Sequence, residues 1–231
     1  MLRFDQFKVL TFDCYGTLID WESGILSAMR RAFSAHQRPF DPQKVLAAYA
    51  ELEPQIQSGS YSPYRQVLAE LMRGISGRFN VPFSPAEVDS LAESVADWLP
   101  YPDTVPALRL LKQKYQLAII SNIDDDLFAF SAQRLEVTFD FVITAQQAGS
   151  YKPSLQNFQL ALARIGQPKE KILHVAESLF HDIAPASSLG LRTVWVNRRA
   201  GTGLGASKPA CADPDMTVSD LRGLARLALA N

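Results

Sequence analysis

The stretch Lys8-Val9-Leu10-Thr11-Phe12-Asp13-Cys14-Tyr15-Gly16-Thr17-Leu18 decides the fold. Its first five residues, Lys8 to Phe12, are mostly apolar and end on Asp13. The chain then turns through Gly16-Thr17. A carboxylate at the tip of a buried strand is costly to desolvate, so its presence needs a reason. Parallel α/β sheets place their ligands in the crevice beyond such strand ends. Asp13 is therefore a candidate nucleophile.

Four later runs resemble the first: Leu117 to Ser121, Phe139 to Thr144, Ile172 to Ala176 and Thr193 to Val196. They are short and continuously apolar rather than alternating, as in strands buried on both faces of a parallel sheet. Helical patterns separate them at Val105 to Lys114, Leu127 to Leu135, Leu155 to Ile165 and Ile183 to Leu189. The alternation predicts an α/β fold, a doubly wound parallel sheet with a Rossmann-like core.

The interval from Trp21 to Pro100 breaks that rhythm. It carries helical spacing (Ile25, Met29, Ala32, Phe33; then Val67, Leu68, Leu71, Met72) and few strand signals. Gly59 and Pro63 interrupt it, and Pro100 and Pro102 frame its return. The expected organisation is a core domain of residues 1–20 and 101–231, with a helical cap domain of 21–100 inserted after the first strand. Such a cap can close over a substrate and exclude water. The alternative is a purely structural subdomain. Arg198 to Pro209, rich in Gly, Ala and Ser, reads as a loop.

Each predicted strand ends in polar residues: Asp13; Ser121-Asn122; Gly149-Ser150-Tyr151-Lys152-Pro153; and Glu177-Ser178 with Asp182 beyond. In a parallel sheet these tips converge on one edge. A carboxylate nucleophile at Asp13 suits a covalent ester or acyl-phosphate intermediate. Lys152 keeps Asp13 ionised and offsets an anionic substrate. Ser121, Asn122 and Thr17 supply neutral donors. Asp182 orients Lys152, positions water or holds a metal. Against these roles stand simpler ones: Thr17 as a turn cap, Lys152 as a surface lysine, Ser178 as a helix N-cap.

Other residues are weighed in the same way. His174, inside an apolar strand, reads as a satisfied core histidine, and His181 as either cleft or surface. Cys14 reads as apolar filler. Trp21 and Glu22 would form a hinge or pocket wall, and Phe180, Tyr61, Tyr64 and Trp98 an apolar pocket or mere packing. Asp124-Asp125-Asp126 reads as a helix start favoured by the macrodipole, or as a cation site.

The 231-residue chain is long enough for a sizeable core, and 47% hydrophobic with 20% charged residues is ordinary globular composition. A net charge of −1 argues against a nucleic-acid partner. Two cysteines cannot build a disulfide framework or a four-ligand zinc site. With no signal layout or spanning run, a cytoplasmic protein with no membrane partner is expected.

In order, Asp13-Cys14-Tyr15-Gly16-Thr17-Leu18, Ser121-Asn122, Tyr151-Lys152-Pro153 and Glu177 to Asp182 resemble the four motifs of the haloacid dehalogenase-like (HAD) superfamily, over the whole chain. Phosphatases of that superfamily carry a second Asp two residues after the nucleophile, to protonate the leaving alcohol. Tyr15 stands there instead, as in type II 2-haloacid dehalogenases. A tyrosine is a poor acid at neutral pH, and halide leaves without a proton. The resemblance implies displacement at the α-carbon of a small carboxylate through an Asp13 ester, with no metal or cofactor. It assigns catalysis to Asp13, Lys152, Asp182, Thr17 and Ser121, and substrate binding to Tyr15, Asn122, Glu177, Ser178 and Trp21. It also makes a homodimer possible. The alternative is a phosphatase using magnesium held by Asp13, the Tyr15 carbonyl and Asp182. A catalytically quiet binding protein of the same fold is a third reading, opposed by the retained Asp13, Lys152 and Asp182.

Three departures from the dehalogenase pattern concern the substrate. The stretch Ala48 to Glu53 offers no arginine where those enzymes have one in the cap, leaving Arg65 as a replacement. Phe158 replaces a tyrosine. Glu177 enters the fourth motif, with one additional residue before Asp182. Positive charge is lost and negative charge gained. The tracts LTFDCYGTLIDWESG and HVAESLFHD look most like azetidine-2-carboxylate hydrolases, whose leaving group is a ring amine. That resemblance implies a zwitterionic substrate with its ammonium near Glu177 or Glu51.

Overall fold

The computed structural model describes residues 2–198 and 211–230. Six strands form one parallel sheet: β1 (Val9–Phe12), β2 (Gln116–Ser121), β3 (Phe141–Thr144), β4 (Ile172–Ala176), β5 (Arg192–Val196) and β6 (Met216–Val218), in the order β3-β2-β1-β4-β5-β6. The chain winds outward from β1 to β3, then crosses back and winds outward from β4 to β6. The direction of winding changes between β1 and β4, and Asp13 leaves the sheet at that point. β6 was not expected. Three residues are too few to show a period, and only pairing with β5 makes them a strand.

The helices are α1 (Trp21–Ala35), α2 (Pro42–Gln57), α3 (Tyr64–Phe79), α4 (Pro85–Glu93), α5 (Thr104–Leu111), α6 (Asp125–Leu135), α7 (Ala145–Ala148), α8 (Leu155–Ile165), α9 (Ala184–Ser188) and α10 (Leu221–Leu229). They cover both sheet faces, which is why the strands read as continuously apolar. Val9, Ala118, Ile120 and Ile172 pack with Phe158, Ala161 and Ile165 of α8. Leu10, Phe12, Leu117, Ile119 and Val175 face the other way, towards Leu108 of α5 and Leu224 of α10. The expected helix Ile183 to Leu189 is shorter, because a turn of π-helix over Leu179–Ile183 precedes α9. Of the expected loop Arg198 to Pro209, all but Arg198 lies outside the described residues.

Helices α1 to α4 are inserted between β1 and α5. α1 buries Ile25, Ala28, Met29, Ala32 and Phe33, an i, i+3, i+4, i+7, i+8 stripe. Asp20 caps α1, Asp41 caps α2, and Ser84 with Glu87 forms a capping box on α4. α3 starts after Pro63 and has no such cap of its own. Asp124, the residue before α6, supplies it: Oδ1 accepts from the Tyr64 N–H and Oδ2 from the Arg65 N–H, each at 2.9 Å. Of the Asp124 to Asp126 run, the last two sit in the first turn of α6 as expected, while Asp124 serves α3 instead. A second tie runs from the Tyr151 hydroxyl to the Ser62 carbonyl at 2.6 Å.

Gly24 of α1 lies flat against Trp98. A Cβ there would stand 2.3 Å from Trp98 Cδ1, inside any real contact distance. Gly24→Ala should cost roughly 1–3 kcal/mol through overpacking, read as a melting temperature lowered by several degrees. An unchanged transition would show that the indole moves freely.

Candidate active site

Asp13 follows β1 directly and is almost fully buried. Its Oδ2 accepts from Thr17 Oγ1 at 2.6 Å, and its Oδ1 from Lys152 Nζ at 2.8 Å. Thr17 in turn accepts from the Glu177 N–H at 2.9 Å, tying the first motif to the end of β4. The turn that returns Thr17 passes through Gly16 at φ +95°, a conformation L side chains avoid.

Lys152 Nζ has three donors and spends all of them. It donates to Asp13 Oδ1, to Asp182 Oδ1 at 2.6 Å and to the Ile120 carbonyl at 2.8 Å. Its backbone is fixed by Asn122, whose side-chain amide donates to the Lys152 carbonyl and accepts from the Lys152 N–H. Asp182 Oδ1 also meets His174 Nε2 at 3.1 Å, and His174 Nδ1 meets Thr11 Oγ1 at 2.9 Å. His174 is thus the core histidine expected, and it also orients Asp182. That second part escapes a reading of one strand, because Thr11 and His174 meet only through the β1–β4 register.

The two carboxylates are not equivalent. Burial pushes the Asp13 carboxyl above its usual range, against the pull of Lys152 and with the Asp182 charge adding to the rise. Burial works on Asp182 too, but Lys152 and His174 outweigh it and hold that carboxyl low. The two acids together keep the Lys152 ammonium above its ordinary value despite burial.

A cavity of about 50 Å³ opens on this cluster. Asp13, Tyr15, Trp21, Ser121, Asn122, Lys152, Ser178 and Asp182 line it, all expected at the site from sequence, together with His181 and Tyr64. Ser121 Oγ is buried with no hydrogen-bond partner among the described residues. Ser178 also accepts from the His181 N–H, so the capping role holds as well. The Tyr15 hydroxyl meets Ser131 Oγ at 2.8 Å, and burial pushes its pKa well above the ordinary value. Cys14 is buried in the core.

Several expectations fail here. Arg65 does not replace the missing arginine; its guanidinium pairs with Asp126 at 2.6 Å on the surface and does not line the cavity. Glu51 pairs with Arg78 on the exposed side of α2. The Glu177 side chain is not part of the cavity wall, although its main chain anchors both Thr17 and, through its carbonyl, Trp195. Of the aromatics, Trp98 packs edge-on against Tyr15, Tyr61 against Tyr151 and Phe180 against His181. Tyr64 alone of these four is in the wall. The acid that lines the cavity besides Asp13 and Asp182 is Glu53 of α2. It continues a buried helical stripe, Val45, Ala48, Tyr49, Glu53, and an acid on such a stripe is a signal the sequence carried.

No group of three or more His, Cys, Asp or Glu among the described residues is arranged to hold a metal. The Lys152 ammonium bridges Asp13 Oδ1 and Asp182 Oδ1. No described helix is long and apolar enough to cross a membrane.

A parallel sheet whose strand ends gather an aspartate, a lysine and a second aspartate defines a class, and a family model for haloacid dehalogenase-like hydrolases matches residues 7–190. The chain belongs to that family. It is similar to the (S)-2-haloacid dehalogenase of Pseudomonas fluorescens, 29% identical over 196 residues, covering 82% of this chain and 84% of the relative. Its fold matches the crystal structure of the L-2-haloacid dehalogenase PA0810 with a TM-score of 0.83 at 22% identity, over 97% of this chain and 100% of that one. It also matches an L-2-haloacid dehalogenase from Xanthobacter autotrophicus with chloropropionic acid covalently bound, with a TM-score of 0.80 at 21% identity, over 96% and 98% of the two chains. The chain is a 2-haloacid dehalogenase-like hydrolase.

The opposite pKa directions give two isosteric replacements opposite signs. Asp182 has a lowered pKa, so its stabilisation is present above the unfolded value of about 4 and lost as pH falls through the folded one. Asp182→Asn should cost roughly 3 kcal/mol at pH 7, with the gap to wild type closing on acidification. Asp13 has a raised pKa, so the fold favours its protonated form below pH about 4 and loses that support as pH rises. Asp13→Asn should unfold at a higher temperature than wild type at pH 7, with the gap widening from pH 4 upward. Melting curves from pH 3 to 8 decide both; the same sign for the two variants at pH 7 contradicts this assignment.

Proposed function

We propose that this hydrolase displaces a leaving group, halide or ring amine, from the α-carbon of a small 2-substituted carboxylate through an ester on Asp13. One observation carries the reading. Asp13 is a buried carboxylate at the cavity wall, oriented through both oxygens by Thr17 and Lys152, while Tyr15 stands where an alcohol's proton donor would be needed. A carboxylate placed by fixed donors attacks with little reorganisation.

An Asp13 oxygen forms a bond to the α-carbon as the bond to the leaving group breaks, and the electron pair departs with that group. Inversion at the α-carbon follows from attack opposite the departing group. Water then adds to the Asp13 carbonyl carbon, the 2-hydroxycarboxylate leaves, and Asp13 returns as carboxylate. The water's spare proton goes to solvent when halide leaves, or to the freed nitrogen when a ring opens. Lys152 balances the charge on Asp13 as it is consumed and restored, and Asp182 and His174 keep that ammonium in place. The unpartnered Ser121 hydroxyl and Asn122 supply donors to the substrate carboxylate. Trp21, Tyr15 and Tyr64 give the apolar wall, and helices α1 to α4 act as a cap over it. The covalent adduct in the Xanthobacter autotrophicus relative supports this chemistry.

A single turnover in heavy-oxygen water, with 2-chloropropionate and azetidine-2-carboxylate in turn and chelator present, tests the proposal. The Asp13 peptide should gain one heavy oxygen with at least one of the two. No label with either, together with magnesium-dependent phosphate release from a generic ester, would overturn it in favour of a phosphatase.

A further inference from the structure

Glu53 is the one acid of the cavity wall that Lys152 does not reach. It is 7% exposed and forms no ion pair among the described residues. Its Oε1 accepts from the Tyr49 hydroxyl at 2.9 Å and the Tyr64 hydroxyl at 2.8 Å. The two hydroxyls also stand 2.9 Å apart, so the three groups form a closed triangle. With both tyrosine protons spent on Oε1, no described residue hydrogen-bonds Oε2.

As a carboxylic acid, Glu53 is satisfied within the triangle, its O–H donating to one tyrosine oxygen while that hydroxyl turns to the other. As a carboxylate, it has no cation to offset it among the described residues, so the charged form is the one that calls for a partner. Burial pushes its pKa up, and the tyrosine hydroxyls pull against that. Buried charges and donors are ordinarily matched within a protein. Where the match is absent in a cavity wall, a ligand can supply it. The rest of the wall points the same way. The Lys152 ammonium has no N–H left to offer, and no arginine lines the cavity among the described residues. A simple monoanion would meet an excess of carboxylates.

We propose that Glu53, held by Tyr49 and Tyr64, binds a protonated amino group on the α-carbon of the substrate, so that this site selects a zwitterionic amino-acid-like carboxylate over a plain monoanion. The proposal rests on reading the Asp13 cavity as the substrate site. It gives the nitrogen of a ring-amine substrate its partner: Glu53 holds the ammonium beside the α-carbon while Asp13 attacks. As the C–N bond breaks and nitrogen takes the electron pair, a neutral amine results, and it accepts the proton that the hydrolytic water gives up.

The test measures binding, with unreactive ligands that differ only in the group at issue. Alanine and isobutyrate are matched save for an ammonium in place of a methyl. By calorimetry at pH 7, the full-length wild type should bind alanine about tenfold or more tightly than isobutyrate, the scale of a charged hydrogen bond. Glu53→Gln keeps the oxygen that accepts from the tyrosines and removes the charge. It should bring the ratio close to one, leave isobutyrate binding unchanged or tighter, and raise the melting temperature, because an uncompensated buried charge is gone. Equal affinities in the wild type, no binding of either ligand, or a preference that survives Glu53→Gln would each overturn the proposal. The readout needs no turnover. Labelled Asp13 without an ammonium preference would sink this inference alone, and a preference without label would sink the ester reading alone.

Discussion

The Lys152 ammonium is the interaction on which the rest of the site depends. It sits where the sheet changes its direction of winding, closed in by Asp13, Asp182 and the Ile120 carbonyl, and almost wholly out of water. An isolated buried ammonium would be prohibitively costly, and so would two adjacent carboxylates. Together they are tolerable because each satisfies the other. Each member comes from a different loop beyond β1, β3 or β4, so the cluster forms only when those strands are in register. Asn122 then clamps the lysine's backbone from a fourth loop.

The asymmetry within that cluster links stability to chemistry. One ammonium cannot fully neutralise two carboxylates. His174 settles which of them is favoured, by adding its donor to Asp182. Asp13 is left as the less well supported acid, at the wall of the cavity. In the proposed mechanism the nucleophile has to retain some reactivity, and a carboxyl that burial holds above its usual range does so. On that reading the fold gives up some stability at this position in return for a group ready to react.

Most of the sheet was legible in the sequence because its strands are buried on both faces. Continuous apolar runs such as Ile172 to Ala176 need no knowledge of their neighbours to be recognised. The strand-end polar residues were legible for the same reason, since a parallel sheet sends every such tip to one edge. Three kinds of feature were not legible, and a fourth was missed. β6 is a strand only by virtue of its partner. The π-helical turn before α9 is a local geometry that three residue types in a row do not encode. The link from Thr11 through His174 to Asp182 depends on register across strands. The fourth was an error of choice among several acids. Glu51, Glu53 and Glu177 are chemically alike, and only the helical phase of α2 separates the exposed Glu51 from the buried Glu53. That phase was readable, from the stripe that runs through Val45 and Tyr49.

Asp124 gives the inserted helices a boundary that contiguous numbering does not. Helix α3 belongs to the insertion, yet the carboxylate that completes its first turn lies about sixty positions later, at the foot of α6. Heredity and engineering both tend to treat an inserted segment as a cassette. Here the cassette is incomplete without one residue of its host. A chimera that moved residues 21–100 onto another sheet of this kind would carry α3 with its leading amides unmet, unless the recipient already presented an acid at the same corner. The unit that can be exchanged is therefore the insertion plus its distant cap, two pieces of chain read as one.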